Sequence, residues 1–187
     1  WLRCRRKAWL DRHGDANQRR WTAHRNLLLD DQQRSFVALL PHKPGHGIAA
    51  CAAGEEGVVG LRFKGEGPSG EPVEAHPPLL LRVAGQSRWG PFAYQPVLAR
   101  QGRRITREHQ LPLALMGHLL EAYQAGPVPE LLVLGGGGRR LERDRIRLTS
   151  GLRKQLSEAL RKLNADLERP QPPALAADRR KCTLCSW

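Results

Sequence analysis

Two cysteines near the end of the chain have the spacing of a metal-binding hook. Cys182 and Cys185 are separated by two residues, and two thiolates at this spacing can bind one metal ion or one iron of a cluster. The same spacing also occurs in redox pairs and in cysteines without a chemical role. A metal site needs further ligands: Cys4 lies among arginines that favour its thiolate, whereas Cys51 lies among small apolar residues typical of a buried cysteine.

Three weaker candidates lie elsewhere in the chain. His42, His46 and Cys51 could form a zinc site in a loop, although the surrounding Pro and Gly residues favour ordinary exposure. Residues 135–138 are four glycines that could cradle a phosphate, but the residues of a nucleotide-binding loop are absent, and a hairpin turn is the better interpretation. His24 is a candidate through the family resemblance described below, and its apolar neighbours favour a core position.

The charge of the chain indicates a polyanionic partner. Lys and Arg number 31 against 18 Asp and Glu, which gives a formal net charge of +13. Arginine predominates, and its planar guanidinium suits bidentate contacts with phosphate. We therefore expect DNA binding, with a merely solvated basic surface as the alternative. The basic residues that we assign to this binding are Arg100, Arg103, Arg104, Arg107, Arg139, Arg140, Arg179, Arg180 and Lys181.

The composition restricts the class of protein. A chain of 187 residues with 40% apolar residues can build one packed domain. No apolar run approaches the length of a transmembrane helix, and no signal peptide is recognisable, so we expect a cytoplasmic protein without a membrane partner. Four cysteines are too few for a disulfide-built fold. Since the chain begins without Met, we interpret it as a piece of a slightly longer protein.

The elements that must position these residues begin with helices. Residues 2–13 predict a short basic helix, and a second helix is expected from Asp15 or Asn17 to Leu40. Residues 41–56 and 64–78 are rich in Pro and Gly and predict loops. Strands are expected over 57–63, 79–83 and 92–100.

The second half of the chain predicts two helices around a pair of strands. Leucines recur at helical spacing after residue 107, with Pro112 in the first turn and Gly126 at the end. Strands are expected over 131–134 and 145–148, and Ser150 is expected to cap a last helix. This order predicts an α/β or α+β domain with a mixed central sheet, whose core spans 15–169 and whose residues 170–187 form a linker and cysteine segment.

Both chain ends resemble one known family. Cys4-Arg5-Arg6 with Trp9-Leu10-Asp11, and residues 182–187 (CTLCSW), resemble the RecB-like nucleases that carry an iron–sulfur cluster and are related to the CRISPR-associated exonucleases. The resemblance implies a restriction-endonuclease-like core and a [4Fe–4S] cluster that joins the chain ends. It implies Cys4, Cys182 and Cys185 as ligands, with the fourth cysteine a few residues past Trp187. Basic side chains beside the cluster would then form one patch.

The middle of the chain departs from that family. The family places a carboxylate on the second strand and acid-x-Lys on the third, and these hold Mg²⁺ or Mn²⁺. Here the first position corresponds to Pro78, and the second to Leu98-Ala99-Arg100 or to Gln95-Pro96-Val97. The family's Gln-x-x-x-Tyr motif keeps Gln110 but has Ala114 in place of Tyr, and His24 corresponds to a helix-borne histidine.

The resemblance and these departures together predict a DNA-binding iron–sulfur protein with an impaired or lost nuclease centre. A first alternative is an active metal-dependent nuclease whose acids have moved to Glu71, Glu74 or Glu108. A second alternative is a zinc-stapled structural or RNA-associated protein.

Overall fold

The computed structural model describes residues 2–20, 23–101, 104–136, 142–176, 182 and 185–187. The chain divides into two units, and we name them by their content. The terminal unit is Trp1–Asp31 with Glu158–Trp187, and the sheet unit is Gln32–Ser157. These boundaries fall at 31/32 and 157/158, whereas the sequence analysis places the limits of the core at 15 and 169.

Five helices and eight strands are found in the described residues. The helices are α1 (Arg5–His13), α2 (Ala23–Val37), α3 (Gly47–Ala52), α4 (Arg107–Gln124) and α5 (Ser150–Leu167). The strands are β1 (Gly45–His46), β2 (Gly57–Val59), β3 (Phe63–Glu66), β4 (Pro72–Ala75), β5 (Leu79–Val83), β6 (Ala93–Gln101), β7 (Leu131–Gly136) and β8 (Glu142–Ile146). No described helix combines the length and apolar character needed to cross a membrane.

Six strands of the sheet unit form one mixed sheet in the order β1-β2-β5-β6-β7-β8. Strands β2, β5 and β6 are antiparallel neighbours, β7 runs parallel to β6, and β8 returns antiparallel to β7. Helix α4 makes the long crossover that two parallel strands require. The prediction of an α+β fold with a mixed central sheet flanked by helices is thereby confirmed, as is the antiparallel pairing of the strands on either side of the glycine run.

The two faces of this sheet contact different helices. Phe36, at the end of α2, packs with Leu79, Val97, Leu132 and Leu134 in one buried cluster. The alternate residues of β7 face the other way, because successive side chains of a strand point to opposite faces.

Helix α4 covers the second face. It packs on β6 and β7, and a Cβ added at Gly117 would lie 2.6 Å from Leu131. Its first turn carries a capping box between Thr106 and His109, and its last residue is followed by Ala125 at φ 49°. Pro112 is the sixth helical residue, so its predicted place in the first turn is wrong; Thr106, not the proline, sets where the helix begins.

Several sequence boundaries are corrected by the structure. The predicted loop 64–78 contains the hairpin β3–β4, whose paired residues Phe63 and Ala75 are buried, and the predicted loop 41–56 contains β1 and α3. The predicted strand 57–63 is divided by Gly60 at φ 69°. The last strand begins at Glu142 rather than 145.

The start of the second helix is also corrected. Asp15 caps a short 3₁₀ helix, Ala16–Gln18, and α2 begins only at Ala23. The carboxylate of Asp15 accepts a hydrogen bond from the Asn17 amide at 2.9 Å, which satisfies one of the free amides at the start of this 3₁₀ helix.

Candidate metal centre and nucleic-acid interface

The three terminal cysteines are free thiols of intermediate exposure. Cys4 precedes α1 with an extended backbone, and its sulfur accepts a hydrogen bond from the Lys7 amide at 3.4 Å. The backbone amide of Cys185 donates to the carbonyl of Cys182 at 3.1 Å. The sulfur of Cys4 replaces the usual oxygen of a helix cap.

The ends of the chain meet inside the terminal unit through side chains of α1. Arg5 forms a bidentate ion pair with Asp166, which is only 1% exposed. Arg6 donates to the carbonyl of Pro173 at 3.2 Å, and the Trp9 indole donates to the carbonyl of Arg169 at 2.9 Å. Two of the cations expected in a basic patch, Arg5 and Arg6, are thus occupied by contacts within the protein.

The last residues of the chain also form hydrogen bonds with residues near its start. The Trp187 indole donates to Asp11 at 2.8 Å, and the Arg20 amide donates to the carbonyl of Ser186 at 2.9 Å. Partial burial alone would raise the pKa of Asp11, but hydrogen bonds from Lys7 and Trp187 outweigh it and lower that pKa. We call the contacts of Arg5, Arg6, Trp9, Asp11 and Trp187 with their partners the terminal staple.

The donor atoms fit an iron–sulfur cluster in type, but their placement does not complete a site. Across residues 2–20, 23–101, 104–136, 142–176, 182 and 185–187, no three His, Cys, Asp or Glu side chains lie together so as to hold a metal ion. This applies to Cys4 with the hook and equally to His42, His46 and Cys51. Cys51 is fully buried in α3, and its burial raises the pKa of its thiol to about 11.

The pairing of β5 with β6 positions the residues that the resemblance compares with the family's acids. Leu79, the first residue of β5, pairs with Val97, and Pro78 immediately precedes β5. Gln95 pairs with Leu81, two residues from Leu79 along β5, and is 8% exposed. Both registers considered for acid-x-Lys, Leu98-Ala99-Arg100 and Gln95-Pro96-Val97, therefore lie on β6.

The acids considered as replacements lie apart from this ladder. Glu74, on β4, accepts two hydrogen bonds from Arg62, both at 2.7 Å, and one interaction with His76 at 2.6 Å. The hydrogen bonds from Arg62 are the main reason that the pKa of Glu74 falls to about 2. Glu71, just before β4, accepts a hydrogen bond from the Ser69 amide at 3.1 Å.

Three further candidates belong to helices. Glu108 lies in the first turn of α4 and Gln110 two residues later, both of intermediate exposure. The backbone of His24 lies in α2, and its side chain is outside the described part of the structure.

Arg100 is a buried cation with two acidic partners. It is 4% exposed, and its guanidinium donates to Glu142 at 2.8 Å and to Asp144 at 2.9 Å. The hydrogen bond to Asp144 is the main cause that raises the pKa of Arg100. Gly135 leaves room for the Arg100 side chain, because a Cβ at residue 135 would lie 2.8 Å from the guanidinium. Since both acids already bind it, Arg100 is not placed to contact phosphate as the sequence analysis expects.

The other expected DNA contacts divide into two groups. Arg104 and Arg107 are exposed, and Arg107 donates to Gln155 at 3.4 Å. The remaining residues lie outside the described residues: Arg103, Arg139, Arg140, Arg179, Arg180 and Lys181.

Sequence reasoning missed the acids that organise these sites. The burial of Asp166 was not predicted, because it lies among polar residues of α5 and no local sequence pattern indicates a buried acid. Glu142 and Asp144 could have been found, because the sequence ERDRIR of residues 142–147 alternates acids and arginines with the period of a strand.

The chain was also compared with known proteins. No protein-family model matches it. A search of curated proteins likewise finds no match.

Proposed function

We propose that the chain is a DNA-binding iron–sulfur protein related to the RecB-like nucleases, with its metal-dependent cleavage centre lost. The observation that carries this proposal is the pairing of β5 with β6: Pro78 immediately precedes β5, and Leu98 lies on β6. In the family that the sequence resembles, these two positions carry metal-binding acids. Proline and leucine side chains have no oxygen ligand for Mg²⁺ or Mn²⁺.

The position of the family's lysine supports the loss of cleavage. Attack on a phosphodiester requires a metal that activates water and stabilises the developing charge. Arg100 stands where the lysine is expected, and its guanidinium is bound to Glu142 and Asp144. It therefore serves the packing of the sheet rather than the positioning of a water molecule.

The cluster is proposed from the terminal residues. Cys4, Cys182 and Cys185 would bind it with a fourth cysteine expected past Trp187, and when bound it would cross-link the two chain ends. The terminal staple supports this assignment, because Trp9, Asp11 and Trp187 belong to the motifs that carry the resemblance and contact the opposite chain end. The staple also places residues of the two chain ends in contact within one unit.

The nuclease prediction is tested with labelled single-stranded and duplex DNA in Mn²⁺. We expect binding that weakens as salt rises, and no cleavage above background. The control is a Glu71→Gln, Glu74→Gln, Glu108→Gln variant. Cleavage by the natural chain that this variant abolishes would establish the alternative with relocated acids.

The cluster prediction is tested by iron content and absorbance in a chain extended past Trp187 and purified without oxygen. Cys4→Ser keeps an oxygen cap for α1 but removes the sulfur, so we expect iron to be lost. Cys51→Ala should keep iron, because that thiol is buried in α3. Equal loss from both variants would contradict the ligand assignment, and a colourless protein that contains zinc would support the zinc-stapled alternative.

A further inference from the structure

The edge strand β8 carries a row of exposed arginines. Arg143 and Arg145 alternate along the strand, and Arg147 follows its last residue; all three are exposed. Arg143 pairs with Leu134 and Arg145 with Leu132, so both point to the sheet face of those leucines. We call Arg143, Arg145 and Arg147 the arginine row. The strand predicted from residue 145 onwards therefore begins earlier and includes Arg143.

The acids of the same strand point to the opposite face. Glu142 and Asp144 alternate with the arginines, and both bind the guanidinium of buried Arg100. The pleat thus separates the charges of β8, and Arg100 holds two carboxylates away from the arginine row. The one acid with a described ion pair to the row is Glu130, at 3.3 Å from Arg145, whose side chain remains 71% exposed.

We infer that the arginine row binds the phosphate backbone of a nucleic-acid strand. This inference rests on the proposed DNA binding and assigns it a surface that was not among the predicted contacts. Alternate residues of a strand are about 6.6 to 6.8 Å apart, which is close to the distance between successive phosphates along one strand of DNA. Three guanidiniums in such a row can each contact one phosphate without reading the bases.

The position of β8 makes the row accessible. It is the last strand in the sheet order, with β7 on one side, and its charged side chains lie at this margin. Charged residues on an edge strand can also serve only to prevent pairing with another chain. That role requires positive charge but no bound polyanion. Measurements of nucleic-acid binding therefore distinguish it from the proposed binding of a phosphate backbone.

The test compares two triple variants with the same loss of charge. The row variant is Arg143→Gln, Arg145→Gln, Arg147→Gln, and the control replaces three exposed helical cations, Arg12→Gln, Lys154→Gln and Arg161→Gln. Affinity is measured for a fluorescent single-stranded oligonucleotide and for a duplex of the same length, across a range of salt concentrations. Circular dichroism verifies that each variant is folded.

We expect the row variant to bind more weakly and to lose about two units of salt slope on the single strand and just under three on the duplex. The control should keep a slope closer to that of the natural chain. An unchanged slope in the row variant, or an equal loss in both variants, would overturn the assignment of the surface while leaving DNA binding intact. Absence of binding by the natural chain at low salt would overturn the proposed DNA binding as well.

Discussion

The terminal unit and the sheet unit are stabilised by different kinds of contact. In the sheet unit, fully buried Leu79, Val97 and Leu134 pack between strands and the end of α2. In the terminal unit, α1 has no buried residue; the described contacts of its side chains with other segments are ion pairs and hydrogen bonds, and the rings of Trp9 and His13 lie 4.6 Å apart within the helix. Apolar packing tolerates exchange between side chains of similar volume, whereas directional contacts depend on particular atoms.

This difference predicts which unit opens first. Burial of a large apolar side chain stabilises a protein by about 1.5 to 3 kcal/mol, whereas an exposed ion pair contributes roughly 0 to 1 kcal/mol. We therefore expect α1 to open locally at a lower free energy than the strands of the sheet.

The largest effect is expected from Leu79→Ala in the sheet unit. The variant leaves a cavity beside Phe36 and Val97, and the free energy of unfolding should fall by about 2 to 5 kcal/mol. Urea denaturation followed by circular dichroism measures this change. A loss below about 1 kcal/mol would mean that this core relaxes around the cavity and is less tightly packed than its burial indicates.

A smaller effect is expected from Asp166→Asn in the terminal unit. The substitution keeps the shape of the side chain but removes the charge that binds Arg5, and a hydrogen bond to a charged group is worth about 1.5 to 3 kcal/mol. Arg5 is 53% exposed and can regain water, so the loss should lie at the low end of that range. Hydrogen exchange should accelerate in α1 and stay unchanged in β6 and β7; equal acceleration in both would show that the units open together.

A still smaller effect is expected from the loss of a single hydrogen bond in the terminal unit. Trp187→Phe keeps an aromatic ring near Gly14 but removes the indole donor to Asp11, at a cost of about 0.5 to 1.5 kcal/mol. The pKa of Asp11 should rise toward its ordinary value, because one of the bonds that lower it is lost. Carboxyl NMR shifts measured against pH detect this rise, and an unchanged pKa would indicate that Lys7 and Arg19 set it without Trp187.

The smallest effect concerns the exposed ion pair between Glu74 and Arg62 in the sheet unit. The folded pKa of Glu74, about 2, lies below the ordinary value of 4.5, so the ionised form is favoured in the folded state. The pair therefore contributes its full stability above about pH 4.5, and the contribution is lost as the pH falls towards 2. Titration by NMR should give a midpoint near 2 in the natural chain and a higher one in Arg62→Gln. High salt should weaken the difference, since the pair is exposed.

The sequence predicts the elements that follow a strong period. β5 spans the predicted 79–83, and β6 and α5 lie within a few residues of their expected bounds, because apolar alternation or leucine spacing is clear there. The hairpin β3–β4 was missed because glycines and prolines mark turns but do not exclude short strands between them. The hairpin is stabilised by tertiary contacts with α4, where the ring centroids of Phe63 and Tyr123 lie 4.5 Å apart.

The candidate sites are predicted less completely than the fold. The cysteine hook is recognised from local spacing and stays a prediction, whereas the helix cap formed by the sulfur of Cys4 was not predicted. The burial of Arg100 could not be read from the sequence, because it depends on acids two strands away and on the absence of a side chain at Gly135. The same holds for Asp166, whose partner lies 161 residues earlier in the chain.

The burial of Cys51 gives the protein two classes of thiol that report on different events. Cys4, Cys182 and Cys185 have intermediate exposure, so an alkylating reagent reaches them in the folded state. Cys51 is fully buried and its thiol has a pKa of about 11, so it reacts only when the sheet unit opens. Its slow alkylation in native buffer therefore measures the free energy of that opening without denaturant, while the fast thiols record whether the chain ends carry a bound metal.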